Sequence, residues 1–311
     1  MNIAPEEIKR AKGQGFLFNN DHEHFAARVI TEDGVLNAAQ FACLSEAAEK
    51  FGNGNIAFTT RLTVEVQGLT WDDIVPFQEF IAKEGMVTGG TGPKVRPVVA
   101  CKGTVCTYGL IDTQGLAREI HERFYEGYRD VTLPHKFKIA VGGCPNNCVK
   151  PDLNDLGIVG QKIPNYNDEL CKGCSKCSVE DRCPMDAATV TDGKLVIDED
   201  KCNNCGLCVD NCRFDAIPDG EVRYKVYVGG RWGKSIRRGT ELKTLFTRDE
   251  IMDVVEKAIL LYKKEGQNSE RFGSTVERLG AEAVERALTT NDLLDEKDSI
   301  LGIATVSGAT C

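Results

Sequence analysis

The chain has 311 residues, with 38 Lys and Arg against 47 Asp and Glu for a formal net charge of -9. At roughly 150 residues per domain that length suggests about two domains, and 41% apolar residues with a mean hydropathy of -0.26 exclude a disordered chain. The acidic balance argues against an extended nucleic-acid surface, which needs a clustered basic excess. No run approaches the roughly 20 apolar residues of a membrane span, and the opening MNIAPEEIKR lacks the apolar core of a secretory signal, so a cytoplasmic protein without membrane insertion is expected.

Asn37 followed by Gln40 predicts a capping box, and Phe41, Leu44, Ala47, Ala48 and Phe51 give the helix an apolar stripe that closes at Gly52. Ile56 to Phe58 and Leu62 to Val66 read as half-buried strands before a turn at Gly68. Thr70 and Asp73 cap a second helix carrying Ile74, Phe77 and Ile81. Past a glycine-rich loop from Gly85 to Pro93, a second unit shows strands at Val98-Val99, Phe137 to Val141 and Leu156 to Val159, with a helix from Leu116 to Phe124. Residues 162–220 change character, holding eight cysteines and twelve acidic residues, and read as an inserted module. The α/β grammar then resumes with a strand from Tyr224 to Val228. A capping box at Thr247 to Glu250 opens a helix that buries Ile251, Val254, Val255, Ala258 and Tyr262 and ends at Gly266. Residues 268–290 read as exposed helix, and 291–311 as a tail.

Fourteen cysteines without a secretion signal point to metal rather than disulfides. Cys202-x2-Cys205-x2-Cys208-x3-Cys212 has the spacing that wraps three thiolates around one [4Fe-4S] cluster and sends the fourth to its neighbour, and Cys171-x2-Cys174-x2-Cys177-x5-Cys183-Pro184 repeats it with a longer final spacer. That spacer leaves room for a loop at Ser178 to Arg182. Crossed ligation predicts one cluster on Cys171, Cys174, Cys177 and Cys212, and another on Cys183, Cys202, Cys205 and Cys208. A zinc ribbon also uses CxxC pairs, but two linked quartets with a trailing Pro favour clusters. Outside the insert, Cys101-x4-Cys106 precedes Cys144-Pro145-Asn146-Asn147-Cys148. Spacing alone leaves a third cluster, zinc and ordinary buried thiols open there. Cys43 reads as a core thiol and Cys311 as an incidental free one. His22, His24, His121 and His135 show no metal spacing and read as surface or capping residues, and Trp71 and Trp232 read as packing residues.

With these neighbours the chain resembles the siroheme-dependent sulfite and nitrite reductases, specifically the small single-repeat, ferredoxin-bearing type of the anaerobic sulfite reductase C subunit. The match runs through Ala27-Arg28-Val29-Ile30, Thr59-Thr60-Arg61-Leu62-Thr63, which looks like the family's TTR-containing strand and so places Arg61 in a strand, Lys94-Val95-Arg96-Pro97, Leu133-Pro134-His135-Lys136-Phe137-Lys138 and Tyr227-Val228-Gly229-Gly230-Arg231-Trp232-Gly233. Four residues rather than the family's usual five separate Cys101 from Cys106, and one copy of the repeat is present. A second chain completing the fold, as homo- or hetero-oligomer, therefore stays open.

The resemblance implies an α+β fold. A ferredoxin-like α/β unit would cover residues 1–92, and a siroheme and [4Fe-4S] α/β domain 93–161 and 221–290. A bacterial two-[4Fe-4S] ferredoxin domain would be inserted at 162–220, with 291–311 as the tail. It implies siroheme and three [4Fe-4S] clusters, with Cys101, Cys106, Cys144 and Cys148 holding the third and Cys148 shared with the siroheme iron. Siroheme is rich in carboxylates, so its rim calls for cations and polar donors. Arg61, Arg237 and Arg238, then Lys234 and Asn146, with Gly229 and Gly230 in the loop, are the implied contacts. Arg28, Arg96, Lys136 and Lys138 would form the cup that holds sulfite, the lysines as proton donors. The implied activity is six-electron reduction of sulfite to sulfide, with electrons delivered by donor subunits or a ferredoxin. Nitrite reduction to ammonia is the nearest alternative, and a non-enzymatic electron carrier the remoter one.

Overall fold

The computed structural model describes residues 3–304, so Cys311 lies outside the described residues. Helix α1 (Pro5–Gly13) leads into β1 (Phe16–Phe18), β2 (Phe25–Val29), α2 (Ala38–Phe51), β3 (Ile56–Phe58), β4 (Val64–Leu69) and α3 (Ile74–Ala82). The strands form an antiparallel sheet in the order β1-β2-β4-β3. The α2 capping box forms as expected: Gln40 N donates to Asn37 Oδ1 at 2.9 Å and Asn37 N donates to Gln40 Oε1 at 3.0 Å, satisfying two otherwise orphan amides. Leu44 and Ala47 of α2 and Phe77 and Ile81 of α3 then meet Phe25, Val29, Val64 and Val66 in one core, against which Cys43 and Trp71 pack.

The second unit contains β5 (Val99–Ala100), α4 (Thr113–Ile120) with a π turn over His121–Glu126, β6 (Ile139–Gly142) and β7 (Leu156–Pro164). The inserted segment contributes α5 (Ser178–Arg182), β8 (Ala188–Thr191) and β9 (Lys194–Ile197); the main unit resumes with β10 (Gly220–Val228), β11 (Thr240–Glu241) and α6 (Ile251–Glu265). The larger sheet has the order β11-β10-β7-β6-β5, with β5, β6 and β7 parallel and β10 antiparallel to β7 and β11. β7 and β10 pair without interruption from Leu156↔Val228 to Pro164↔Gly220. The segment between them therefore leaves and returns at one point, carried on a two-stranded stem. It has its own small core of Val179, Ala188, Leu195 and Ile217 beside the β8-β9 hairpin. Ser178 to Arg182, expected as a loop, is the helical turn α5.

Three expectations for the C-terminal third change. α6 is buried on all sides rather than along one stripe, Glu256, Lys257 and Lys263 included. The expected exposed segment folds into α7 (Phe272–Leu279) and α8 (Ala281–Thr289), which bury Phe272, Val276, Val284 and Leu288 in the main core. The presumed tail supplies α9 (Asp292–Asp295) and α10 (Lys297–Leu301), whose Leu293 and Ile300 join that core while Lys297 pairs with buried Glu256 at 2.5 Å. Helices of four or five residues are too short for a 3.6-residue period to register in sequence. His121, expected at the surface, is buried on the inner face of its helix, and burial pushes its imidazole down to about 4. Among the described residues no helix is long and apolar enough to cross a membrane.

Ile300, only 1% exposed, distinguishes a packed terminus from a tail. Ile300→Ala is expected to cost about 2–5 kcal/mol, read as a lowered thermal midpoint, where a residue in a loose tail would leave it unchanged.

Candidate active site

Five cations converge where the two units meet. Arg28, Arg61, Arg96, Lys136 and Lys138 line a cavity of about 210 Å³ together with Thr63, Gly90 and Pro97. Arg28 projects from β2, where register sets it opposite Glu65 on β4; its Nε and Nη2 donate to Glu65 Oε1 at 2.9 and 2.6 Å. Arg61, expected within a strand, occupies the turn between β3 and β4. Thr59 N donates to Thr63 O at 2.9 Å, Leu62 N donates to Thr59 O at 3.0 Å, and the Thr59 and Thr63 hydroxyls bond at 2.7 Å. The turn carries the Arg61 guanidinium across to the second unit, where it donates to Asn154 Oδ1 and Pro97 O, both at 2.6 Å, and to Ile139 O at 3.1 Å.

Arg96 and the two lysines arrive on neighbouring extended segments. Arg96 N donates to Phe137 O at 2.8 Å, and Phe137 N to Lys94 O at 3.0 Å. Regular β6 starts only at Ile139, but this pairing preserves the alternation: Phe137 is buried, and Lys136 and Lys138 both reach the cavity. Arg96 Nη1 donates to Gly90 O, as Arg28 Nη1 does at 3.4 Å.

The charge balance is lopsided. Asp155, fully buried, accepts from Lys138 N at 2.9 Å, and Arg271 Nη2 donates to its two oxygens at 3.0 and 3.1 Å. Burial raises the Asp155 carboxyl, and Arg271 opposes that rise. Burial lowers Arg61 to about 10 and, with Arg28 close by, Arg96 to about 10. Burial and then the nearby Arg61 lower Lys138 to about 8. The Nε atoms of Arg61, Arg96 and Arg271 are buried without a hydrogen-bond partner. Desolvated cations with donors to spare define a place for an anion.

Arg61 and Lys138 also line a second cavity, of about 490 Å³, with Thr60, Val99, Val149, Lys150, Leu153, Asn154 and Trp232. Its lining combines apolar side chains with three cations, which suits a planar group carrying carboxylates. Val149 follows Cys148, which is exposed beside this cavity. Cys101 and Cys144 come together because Cys101 N donates to Val141 O at 3.1 Å and Gly143 N to Cys101 Sγ at 3.2 Å. Burial raises the Cys144 thiol, and Cys101, Cys148 and Cys106 stand close enough to raise it further. Cys101, Cys106 and Cys148 thus all lie near Cys144. No group of three or more metal-ligand side chains among the described residues closes around a single ion; a four-iron cluster spreads its thiolates more widely than one tetrahedral ion does.

The glycine loop behaves differently from expectation. Gly229, at φ +76°, donates its N–H to Asp155 O at 2.7 Å, and a Cβ on Gly230 would stand 2.4 Å from both Asp152 O and Asn154 O, so these glycines let the loop press onto the 152–155 backbone. Arg237 bonds to Glu277, Thr240 and the loop's own carbonyls, holding the loop. Arg238 pairs with Asp152 at 2.9 Å while 80% exposed, and Lys234 and Asn146 are exposed. None of these reaches either cavity in this structure. Trp232, expected in a packed interior, is 62% exposed and does reach one. Sequence reasoning missed Asp155, Asn154 and Lys150; an acid abutting the apolar run from Leu156 was the available signal for Asp155.

In the insert, Cys183, Cys202, Cys205 and Cys208 line one small cavity. Burial raises Cys208 to about 11, with Cys202, Cys205 and Cys183 contributing. Cys183 thus stands beside the thiols of the Cys202 to Cys208 loop. Cys171, Cys177 and Cys212 pack around the insert's core, as Cys183 and Cys208 do.

Comparison with known proteins finds two family matches along the chain. Residues 91–294 match the nitrite and sulphite reductase 4Fe-4S domain, and residues 19–83 the nitrite/sulfite reductase ferredoxin-like half domain. The chain is 36% identical over 238 residues to the coenzyme F420-dependent sulfite reductase of Methanocaldococcus jannaschii, covering 76% of this chain and 37% of that protein. It is 28% identical over 192 residues to the C subunit of the anaerobic sulfite reductase of Salmonella typhimurium, covering 57% of this chain and 55% of that protein. It therefore spans only part of either relative. Among solved structures, dissimilatory sulfite reductase I superposes with a TM-score of 0.68 at 21% identity, over 86% of this chain and 69% of that one, a likeness of fold.

Asp155 is the buried counter-charge on which the cation cluster rests. Asp155→Asn is expected to lower stability by about 3 kcal/mol, measured by denaturant unfolding, because Arg271 and Lys138 lose their anion. An unchanged midpoint would mean that the carboxyl is already neutral.

Proposed function

Because the chain belongs to the nitrite and sulphite reductase family, we propose that it is the catalytic subunit of a siroheme-dependent sulfite reductase. Hydrogen sulfite would take six electrons and six protons to give hydrosulfide and three waters. The observation that carries this reading is the pair of adjoining cavities, one small and cationic, one larger and lined by both apolar residues and cations, with Arg61 and Lys138 common to both. A bound siroheme coupled to a [4Fe-4S] cluster would supply the reducing electrons.

The chain's own residues have the remaining tasks. Arg61, Lys150 and Asn154 would hold carboxylates of the tetrapyrrole. Cys101, Cys106, Cys144 and Cys148 would hold the coupled cluster, Cys148 on the cofactor's side. Arg28 and Arg96 fix the anion, their geometry set by Glu65 and Gly90. Lys136 and Lys138 would donate protons to departing oxygens; Lys138, at about 8, releases its proton far more readily than an ordinary lysine.

The insert, residues 162–220 on this reading, would hold two further clusters and pass electrons inward. Lys162, on the stem, donates its N–H to Asn204 O at 2.8 Å, and Gly160 lies against Gly143, next to Cys144. This supports Cys183, Cys202, Cys205 and Cys208 as the inner quartet and Cys171, Cys174, Cys177 and Cys212 as the outer. The acidic insert would dock a basic donor protein or ferredoxin.

Anaerobic purification is expected to yield about one siroheme per chain with iron for three four-iron clusters, and a higher kcat/KM for sulfite than for nitrite. Preference for nitrite would move the assignment to ammonia formation, and iron without tetrapyrrole would leave an electron carrier. Sulfite affinity is further expected to fall as pH rises through about 8, where Lys138 loses its charge. Lys138→Arg should carry binding past that pH while slowing turnover; a profile that does not move would remove Lys138 from anion binding.

A further inference from the structure

We propose that Trp232 packs its indole on the face of the tetrapyrrole, an inference that rests on the siroheme reading above. The loop carrying it has a fixed neck and a free tip. Arg231 N donates to Arg237 O at 2.8 Å and Arg237 N to Arg231 O at 2.9 Å, while Gly229 and Gly230 press against residues 152–155. Beyond that neck Trp232 is 62% exposed and Ile236 59% exposed. A large aromatic held at a defined place yet left in water is matched to something the chain alone does not supply.

Its position names the chemistry. Of residues 231–238, Trp232 alone lines the 490 Å³ cavity, together with Val99, Val149 and Leu153 and with the cations Arg61, Lys138 and Lys150. That lining fits a ligand whose faces are apolar and aromatic and whose edge is anionic: the aliphatic side chains and indole take the faces, the cations the edge. The glycines of the loop, expected to touch the cofactor, instead serve to bring the tryptophan to it.

Two measurements on the intact protein test this. Hydroxyl-radical footprinting compares oxidation of Trp232 in siroheme-loaded and siroheme-depleted protein, with half-buried Trp71 as the internal reference. Loading is expected to protect Trp232 several-fold and leave Trp71 unchanged. Siroheme release, followed by loss of its visible absorption, is expected to be about tenfold faster in Trp232→Ala and near wild type in Trp232→Phe, with iron content unaltered. Loaded protein whose Trp232 oxidises as fast as in the depleted form overturns the proposal and leaves the siroheme reading standing. Protection that is independent of siroheme and vanishes on dilution overturns it in favour of a protein contact. Wild-type protein that takes up no siroheme overturns both.

Discussion

Positive charge withdrawn from water is the constraint around which this molecule is arranged. Five cations share one small cavity, and the fully buried carboxylate behind it is Asp155. Each major element secures that balance. Asp155 stands immediately before β7; the glycine loop after β10 caps its backbone through Gly229, and α7 presents Arg271, its N-cap residue, to the carboxylate. The N-terminal unit contributes Glu65, which neutralises Arg28 directly. Two carboxylates are thus placed to stabilise the cluster without filling it, so the cavity keeps a net attraction for an anion.

The β7-β10 ribbon gives that site its connection to the insert. Nine continuous residue pairs make a stem that is twisted and stiff, and its two ends differ in what they touch. At one end Asp155 and Gly229 meet beside the cation cluster; at the other, Lys162 joins the loop of Cys202 to Cys208. A hinge in this ribbon would vary the separation between cysteine quartets, whereas uninterrupted pairing fixes it. On the proposed reading the fold therefore holds its redox groups at set distances instead of relying on a mobile carrier domain.

Most of the chemistry is legible in the sequence because it resides in spacing. Cysteine intervals announce the two quartets of the insert, Asn37 and Gln40 announce α2, and two lysines flanking Phe137 announce a shared face. Features that depend on tertiary placement are not legible. The Thr59 and Thr63 side chains close a turn that reads as strand until the chain reverses, so the sequence puts Arg61 at the right site on the wrong element. Asp155 is an ordinary acid until Arg271, 116 residues away, reaches it. The last two helices are too short to show periodicity, and Trp232 reads as a packing residue because an aromatic beside glycines is ordinarily buried.

The five cations are not equivalent, and the difference divides their work. Arg61 is bound to three oxygens and Arg28 to Glu65 and Gly90; Arg61, even lowered to about 10, stays protonated across the physiological range. It can hold charge and position, but it is a poor source of protons. Lys138 is lowered to about 8 by burial and by the nearby Arg61, so the same cavity that holds the arginines makes the lysine more acidic. On the proposed reading, which removes three oxygens as water, a cup of arginines alone would bind the anion and stall for want of protons, while a cup of lysines alone would lose its charge together with its protons. Fixed arginines around an acidified lysine would keep the anion in place throughout the proposed proton transfers.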